Sequence, residues 1–213
     1  MIMKSFAKKY FDFLTTDLSG LNLTAIKEFD DFYLRQIKDS TLPATLCPVF
    51  SEELSNSNYI LDIGFGGGFP LLPLANIFPQ KKFIGIDARK KKVDAVTKIA
   101  EHLQLKNTTV LHGRIEDFVI DKKCVVTVKA VGKIEDLLSK LNFTEDVKVF
   151  FYKGPNLIEK ENLSSNKIVK QWEIIENKAI EFDGLKRLIV GFQPKSVPRG
   201  TIKNKVVLSS KIK

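Results

Sequence analysis

The stretch LDIGFGGGFP, residues 61–70, places four glycines in ten positions directly behind an apolar run. Glycine loses more conformational freedom on folding than any other residue, so such a cluster is typical of backbone that must approach another group closely. A predicted strand precedes the cluster. A predicted helix follows it and opens with Pro70 and Pro73, which the first turn of a helix tolerates. Because ligands of open α/β sheets bind beyond the carboxyl ends of the strands, the stretch predicts a ligand-binding loop.

The sequence around this loop alternates short apolar runs with segments of helical periodicity, a pattern typical of a parallel sheet wrapped by helices. The predicted strands are YILDI (59–63), KFIGID (82–87), TTVLHG (108–113), CVVTVKAV (124–131) and VKVFFYKG (147–154). The predicted helices between them are LLPLANIF (71–78), VDAVTKIAEHLQL (93–105) and IEDLLSKL (134–141). Two later runs, WEIIENKAIEF (172–182) and KRLIVGF (186–192), have no helix between them and predict an antiparallel hairpin.

The first part of the chain predicts helices. Phe6, Tyr10, Phe13 and Leu14 recur at helical spacing, and FDDFYLRQI (29–37) repeats the pattern. We expect residues 1–55 to form a helical extension packed on the core and residues 56–213 to form the main domain. The two parts are expected to make one structural domain, because 213 residues are an ordinary length for one.

Cysteine and histidine are scarce: the chain has two of each, and neither cysteine lies in a CxxC pair. Cys47 and Cys124 are therefore expected to be buried thiols in a reducing cytoplasm, and no metal site is predicted. No apolar run approaches the roughly 20 residues that cross a bilayer. No apolar stretch follows the lysines at the start of the sequence. We therefore expect neither a membrane partner nor a secretory signal.

Basic residues outnumber acidic ones by 34 to 25, a formal net charge of +9. Such a surface favours polyanions such as nucleic acid, although lysines that merely fill solvated surface are an alternative. Two blocks concentrate the charge: ARKKK (88–92), and a tail, residues 195–213, with six basic residues and no acid. We expect the tail to contact nucleic-acid phosphates and to leave the ligand-binding loop unaffected. Alternatively, KVVLSS (205–210) adds a strand to the sheet.

Two nucleotide-binding patterns compete for the glycine loop. The dinucleotide pattern GxGxxG fails, because Phe69 occupies the position of its last glycine. The pattern DxGxGxG of S-adenosylmethionine-dependent methyltransferases is matched by Asp62, Gly64, Gly66 and Gly68. Gly67 lies outside this alternating set, so we expect it to tolerate alanine. A glycine-rich turn without a ligand remains the structural alternative.

Asp87 ends the second predicted strand, where a carboxylate can accept both hydroxyls of a ribose. Either nucleotide ligand is compatible with this acid. Asp62 favours the methyl donor, since it belongs only to the methyltransferase pattern.

Ten short motifs, in order along the chain, resemble the small-subunit ribosomal RNA methyltransferase G family, also called glucose-inhibited division protein B. They are NLTAI (22–26), DS (39–40), LDIGFGGGFP (61–70), IDARKKK (86–92), LQLKN (103–107), RIE (114–116), KA (129–130), YKG (152–154), KRLIV (186–190) and PRG (198–200). The resemblance runs from about Leu18 to Arg199. The family methylates N7 of a guanosine in 16S ribosomal RNA.

The resemblance implies an α/β fold, a Rossmann-like class I S-adenosylmethionine-dependent methyltransferase sheet with an N-terminal helical cap. It implies S-adenosylmethionine as cofactor and 16S ribosomal RNA or the small ribosomal subunit as partner, and we expect a monomer. Carried over by motif, Gly64 and Phe69 would flank the methionine part of the cofactor, with Asp87 at the ribose. Ile115 and Glu116 would hold the adenine end through backbone groups.

The same motifs place Lys129 facing the cofactor, where the family usually has arginine. They make Lys153, Arg187 and Arg199 the candidates for holding the RNA backbone. For Lys153 a solvated strand end is an alternative, and for Arg187 an ion pair with Glu181 or Asp183. Two other positions depart from the family pattern: Gln36 stands where histidine is usual before the DS motif, and Leu71 replaces a glycine.

N7 of guanine attacks through an in-plane lone pair that carries no proton, so no general base is required and no catalytic residue is predicted. Acceptors that need a cysteine nucleophile are disfavoured because neither cysteine has a recognisable nucleophile context. The Pro-Pro loop used for exocyclic amines is absent. Methylation of another RNA or of a small molecule remains an alternative, as does an RNA-binding module without turnover.

Overall fold

The computed structural model describes residues 2–157, 161–163, 165–197 and 205–211. Its strands are β1 (Tyr59–Ile63), β2 (Lys82–Asp87), β3 (Thr108–His112), β4 (Phe118–Val119), β5 (Cys124–Lys129), β6 (Val147–Lys153), β7 (Trp172–Phe182), β8 (Leu185–Pro194) and β9 (Val206–Val207). Seven of them form one sheet in the order β3-β2-β1-β5-β6-β8-β7. The first five run parallel, and β8 is antiparallel to both β6 and β7. The predicted strands and the hairpin are confirmed.

Helices precede the sheet and alternate with its strands. The first group is α1 (Ile2–Thr15), α2 (Phe29–Phe32), α3 (Asp39–Thr41), α4 (Pro43–Leu46) and α5 (Pro48–Asn56), with a π-helical turn, Tyr33–Lys38, between α2 and α3. The second is α6 (Leu71–Ile77), α7 (Lys90–His102), α8 (Ile134–Leu138) and α9 (Asn166–Gln171). Two 3-10 turns, Ile115–Asp117 and Leu208–Lys211, complete the elements. The predicted helical cap is confirmed, while the division at residues 55 and 56 stays a prediction.

The parallel strands β1, β2, β5 and β6 are buried on both faces over most of their length, which explains their nearly continuous apolar sequences, whereas the edge strand β3 is only partly buried. Successive residues point to opposite sides: Ile60 of β1 lies in one buried cluster and Leu61 in the other. The first cluster also holds Phe6 and Tyr10 of α1, so the N-terminal helices cover that face of the sheet. Cys47 and Cys124 are free, buried thiols, as expected. None of the helices in the described residues is long and apolar enough to cross a membrane.

The described end of the tail does not extend the main sheet. Val206 pairs with Phe118 and Val207 with Val119, forming a separate two-stranded sheet of β4 and β9. The alternative that KVVLSS adds a strand is therefore wrong for the seven-stranded sheet, whose edge strands are β3 and β7. The reason is local: the main chain of β4 is available for hydrogen bonding, and β9 pairs with it in parallel.

A buried carboxylate fastens the N-terminal helices to the ends of two strands. Asp39, fully buried at the start of α3, accepts a bidentate contact from Arg187 of β8, with Nε to Oδ1 at 2.7 Å and Nη2 to Oδ2 at 3.3 Å. Nζ of Lys129, the last residue of β5, lies 2.8 Å from Oδ2 of the same carboxylate. Removing one partner of a buried pair leaves an uncompensated charge, so loss of Asp39 should destabilise the folded state strongly.

We predict that Asp39→Ala lowers the free energy of unfolding by about 3–5 kcal/mol, because two cations lose their buried partner. Asp31→Ala is the matched control, since Asp31 forms an exposed i,i+4 pair with Arg35. Such a pair contributes roughly 0.3–0.5 kcal/mol. Urea unfolding of both variants measures the difference, and equal losses would contradict the tethering role of Asp39.

Candidate functional site

An open cleft of about 440 Å3 lies at the carboxyl ends of β1, β2, β3 and β5. It is lined by segments 63–64, 86–89, 113–116 and 130–132, with Leu137 and Lys140. β1 has β2 on one side and β5 on the other, so chain order reverses at this point. Doubly wound sheets bind ligands at such a reversal, and the volume lies in the range of small-molecule sites. The sequence motifs around the glycine loop thus surround a real cavity.

Gly64 lines the cleft at the end of β1, and Gly66 follows it in the same loop without lining the cleft. Both adopt positive φ, +71° and +58°, which side-chain-bearing residues rarely adopt. The Gly64 amide donates to the Ile86 carbonyl at 2.7 Å, and the Gly66 amide donates to Oδ2 of Asp87 at 3.0 Å. These bonds draw the loop across the end of β2 and leave its surface free of side chains.

Gly67 and Gly68 face the N-terminal helices and not the cleft. A Cβ at Gly67 would lie 2.6 Å from the Leu23 carbonyl oxygen, and one at Gly68 would collide with the Tyr10 hydroxyl and Leu72. The expectation that Gly67 tolerates alanine is therefore wrong, because protein backbone already occupies the space. Gly68 belongs to the DxGxGxG pattern, but the space beside it is filled by Tyr10.

Asp87 joins the loop to the start of α7. Its side chain is only 4% exposed, and Oδ1 accepts the Arg89 amide at 2.9 Å while Oδ2 accepts the Gly66 amide. The Arg89 guanidinium lies alongside, with Nε 3.4 Å from Oδ1. Asp87 also lines the cleft, so its remaining lone pairs are placed to accept hydroxyl groups of a ligand.

Asp62 acts inside the protein. It is fully buried, and its carboxylate accepts the Thr127 hydroxyl at 3.0 Å and the Leu71 amide at 3.2 Å. Burial raises the pKa of Asp62 to about 7, although both hydrogen bonds oppose that rise. The side chain therefore links β1 to β5 and to the first residue of α6, and it does not line the cleft.

Ile115 and Glu116 form the far wall of the cleft, in the 3-10 turn after β3. The Glu116 carbonyl accepts Nδ2 of Asn142 at 3.2 Å and Nζ of Lys205 at 2.5 Å. Lys140 lines the same wall, with Nζ 3.8 Å from the Glu116 carboxylate. The structure therefore brings four of the predicted cofactor residues together around the cleft: Gly64, Asp87, Ile115 and Glu116. Gly66 fixes the glycine loop through its amide, which donates to Asp87.

Residues 130–132, after β5, complete the cleft and were not predicted from the sequence as a group. Ala130 has a φ of +58°, an uncommon conformation for a residue with a side chain, and Gly132 has a φ of +43°. A Cβ on Gly64 would collide with Val131, so this turn sets how far the glycine loop can move. The only signal in the sequence is the glycine in KAVGK (129–133), which marks a turn after a strand.

Phe69 and Lys129 lie beside the cleft without lining it. Phe69 is 7% exposed and stacks on Tyr10, with ring centroids 5.1 Å apart. Nζ of Lys129 lies 3.4 Å from Oε1 of Gln36, in addition to its pair with Asp39. Burial lowers the pKa of Lys129, and the neighbouring Asp39 opposes that shift. Two of the three positions that depart from the family pattern, Gln36 and Lys129, are thus in contact.

Two of the three predicted RNA-binding cations are engaged within the protein. Lys153 donates to Oε1 of Glu161 at 2.7 Å and to the Gly132 carbonyl at 2.9 Å. Arg187 pairs with Asp39, and not with Glu181 or Asp183, because α3 brings Asp39 to the start of β8. The third, Arg199, lies outside the described residues.

We predict that Gly67→Ala lowers the free energy of unfolding by about 1–3 kcal/mol, the usual range for overpacking. Gly20→Ala is the control, since a Cβ there meets nothing within 4 Å. Thermal unfolding of both variants without any ligand measures the effect. A Gly67 variant as stable as the Gly20 variant would show that the loop does not press on Leu23.

A family model described as rRNA small subunit methyltransferase G matches residues 3–189. The chain is 38% identical over 135 residues to ribosomal RNA small subunit methyltransferase G of Lactococcus lactis subsp. lactis (strain IL1403), covering 61% of this chain. It is also 38% identical over 138 residues to the protein of that name in Streptococcus suis (strain 05ZYH33), covering 62% of this chain. The chain spans 55% and 56% of the length of these two relatives.

Solved structures with low sequence identity share the fold. Magnesium protoporphyrin IX methyltransferase (ChlM) from Synechocystis PCC 6803 with bound SAM superposes with a TM-score of 0.54 at 12% identity, covering 88% of this chain and 96% of that one. MtNAS in complex with MTA and tNA gives 0.52 at 13% identity, covering 92% and 71%. These similarities confirm the class I methyltransferase type of sheet. Because the family model matches most of the chain, the chain belongs to the rRNA small subunit methyltransferase G family.

Proposed function

We propose that this chain is an S-adenosylmethionine-dependent methyltransferase that methylates N7 of a guanosine in 16S ribosomal RNA. One observation carries the proposal: in a chain of this family, the glycine loop and Asp87 form one side of a cleft at the reversal point of the sheet. The names of the matched relatives support the same activity and the small subunit as partner. We further propose that the protein acts as a monomer in the cytoplasm.

The residues that line the cleft fit S-adenosylmethionine. Gly64 offers bare backbone to the amino-acid part, Asp87 offers carboxylate lone pairs to the ribose, and the turn at Ile115 and Glu116 offers its main chain to adenine. The cofactor supplies a methyl group on a positively charged sulfur, which is transferred by in-line displacement. The contribution of the protein is therefore alignment of donor and acceptor.

Among the described residues, the lining of the cleft offers no cysteine nucleophile and no histidine base. Burial raises the pKa of Cys47 and of Cys124 to about 12, so neither thiol forms a thiolate near neutral pH. N7 of guanine needs neither a nucleophile nor a base, because its lone pair is already free. The acceptor that demands least of the protein is the one that this cleft suits best.

The ARKKK block, beside the cleft, holds the basic side chains best placed to bind RNA phosphates. Arg89 lines the cleft with a side chain that is 65% exposed, and Lys90 is 64% exposed beside it. Lys91 is also exposed, at the start of α7. Lys153 and Arg187 are largely buried against their carboxylate partners, with side chains 13% and 26% exposed, and Arg199 stays a prediction. Arg89 and Lys90 also contact carboxylates, those of Asp87 and Asp94, but they remain mostly exposed. We infer that these two residues and Lys91 supply the phosphate contacts near the cleft.

Incubation of purified small ribosomal subunits with the protein and labelled S-adenosylmethionine is expected to yield 7-methylguanosine in 16S RNA. Asp87→Ala should weaken cofactor binding by about 1.5–3 kcal/mol, the worth of hydrogen bonds to a charged group. It should also lower thermal stability, because the amides of Gly66 and Arg89 lose their acceptor. Calorimetry and nucleoside mapping measure the two effects.

Asp94→Ala is the control, since Asp94 is an exposed carboxylate of α7 that pairs with Lys90. It should leave cofactor affinity unchanged. Label found in another RNA or in a small molecule would show that the acceptor is not 16S RNA. RNA binding without cofactor binding would show that the protein is an RNA-binding module and not a methyltransferase.

Lys91→Ala should flatten the dependence of RNA affinity on salt by roughly 0.7–0.9 in log–log slope, because one phosphate contact no longer releases a counterion. Lys98→Ala is the matched control, an exposed lysine of α7 seven positions, or about 10 Å, further from the cleft. Arg187→Ala should lower stability and leave the slope unchanged, since its guanidinium is occupied by Asp39. Equal slopes for the Lys91 variant and wild type would remove the block from the RNA interface.

A further inference from the structure

The C-terminal strap, residues 205–211, lies against the outer side of the far cleft wall. β9 of the strap pairs in parallel with β4, which directly follows the turn that holds Ile115 and Glu116. Nζ of Lys205 donates to the Glu116 carbonyl at 2.5 Å. The strap thus reaches the main chain of a residue that lines the cleft.

Two further contacts anchor the strap beyond β9. The Ser209 amide and hydroxyl donate to the two oxygens of Asp121, at 2.9 Å and 2.5 Å. Leu208 is 3% exposed and belongs to the same buried cluster as Ile115 and Phe118. Polar anchors and an apolar anchor together hold the strap in one register along the wall.

The wall depends on this support because it is short. β4 has two residues, and β9 is the one strand with which it pairs among the described residues. On the inner side, Nδ2 of Asn142 donates to the Glu116 carbonyl at 3.2 Å and to the Phe118 carbonyl at 3.4 Å. Loss of the strap would leave Asn142 to position the turn from one side.

Two of the three tail lysines in the described residues make contacts within the protein, while Lys211 is exposed. Lys205 donates to the Glu116 carbonyl, and Lys195 donates to the Val169 carbonyl at 2.6 Å. Two of the lysines that the sequence assigned to RNA therefore donate to main-chain carbonyls of the protein. This favours a contribution of the tail to cofactor binding, in contrast to the sequence-based expectation.

We propose that the C-terminal strap positions the wall that receives the nucleoside end of the cofactor, with Lys205 as its positioning residue. The inference rests on the proposed function, because the cofactor assigned to the cleft is S-adenosylmethionine. Gly64, Asp87 and Glu116 follow the neighbouring strands β1, β2 and β3, so Glu116 is separated from the glycine loop by Asp87. Displacement of the turn at Glu116 should therefore alter the adenosine subsite and leave the loop at Gly64 in place.

Calorimetry with S-adenosylmethionine and with adenosine tests the proposal on the full-length protein. Lys205→Met should weaken both ligands by the same factor, about tenfold, which corresponds to about 1.4 kcal/mol. Lys205→Arg should restore binding, since it keeps a donor for the Glu116 carbonyl. Lys211→Met is the control, an exposed lysine of the same strap. A chain ending at residue 204 should show at least the loss of Lys205→Met.

The outcomes separate the two proposals. Wild-type protein that binds neither ligand overturns the proposed function and this inference with it. Wild-type protein that binds both, with Lys205→Met equally tight, overturns the strap alone. A lower unfolding midpoint with unchanged affinity also rejects the positioning role, because it assigns the strap to stability. Hydrogen exchange of amides 115–119 should quicken in Lys205→Met and not in Lys211→Met.

Discussion

The carboxylate of Asp87 is the point on which the arrangement of the cleft depends. It accepts the amide of Gly66 on one oxygen and the amide of Arg89 on the other, joining the loop after β1 to the start of α7. The glycines of this loop have no side chains to hold them, so their positions depend on hydrogen bonds to the main chain and on the buried side chains of Phe65 and Phe69. Asp62 supplies the second such bond from inside the sheet, through the Leu71 amide. The subsites proposed for the amino-acid part and the ribose lie on this doubly held backbone, whereas the adenine subsite lies on the turn at Ile115 and Glu116.

The N-terminal helices form the rear support of the same loop. The Tyr10 hydroxyl donates to the Gly67 carbonyl at 2.5 Å, and the Tyr10 ring stacks on Phe69. The Leu23 carbonyl lies against Gly67. Asp39 then fastens the helical segment to the ends of β5 and β8. The helical cap is therefore part of the architecture of the site, because the loop is compressed between it and the sheet.

Charge is distributed by use within the fold. Lys129, Lys153 and Arg187 all lie in motifs that suggest contact with cofactor or RNA, yet each has a carboxylate within 3 Å. Burial makes an unpaired cation costly, so partly buried basic side chains acquire internal partners. Arg89, Lys90 and Lys91 remain mostly exposed beside the cleft, although Arg89 and Lys90 also contact Asp87 and Asp94. Lys92 donates to the Asn22 carbonyl. Net charge thus predicted a polyanionic partner, while burial decides which residues can reach one.

Local patterns determined most of the fold. Apolar runs between polar segments predicted every strand of the main sheet, because each strand buries at least part of its surface, and the glycines behind YILDI predicted the loop. Contacts between distant segments were decided by tertiary structure. Gly67 was predicted to be permissive because it lies outside the alternating glycines, and its contact with Leu23, 44 positions away, was not visible in the sequence. Asp39 meets Arg187, and Lys205 meets Glu116, only because helices and strands bring them together. Periodicity records which face of an element is buried, whereas the partner on that face depends on packing.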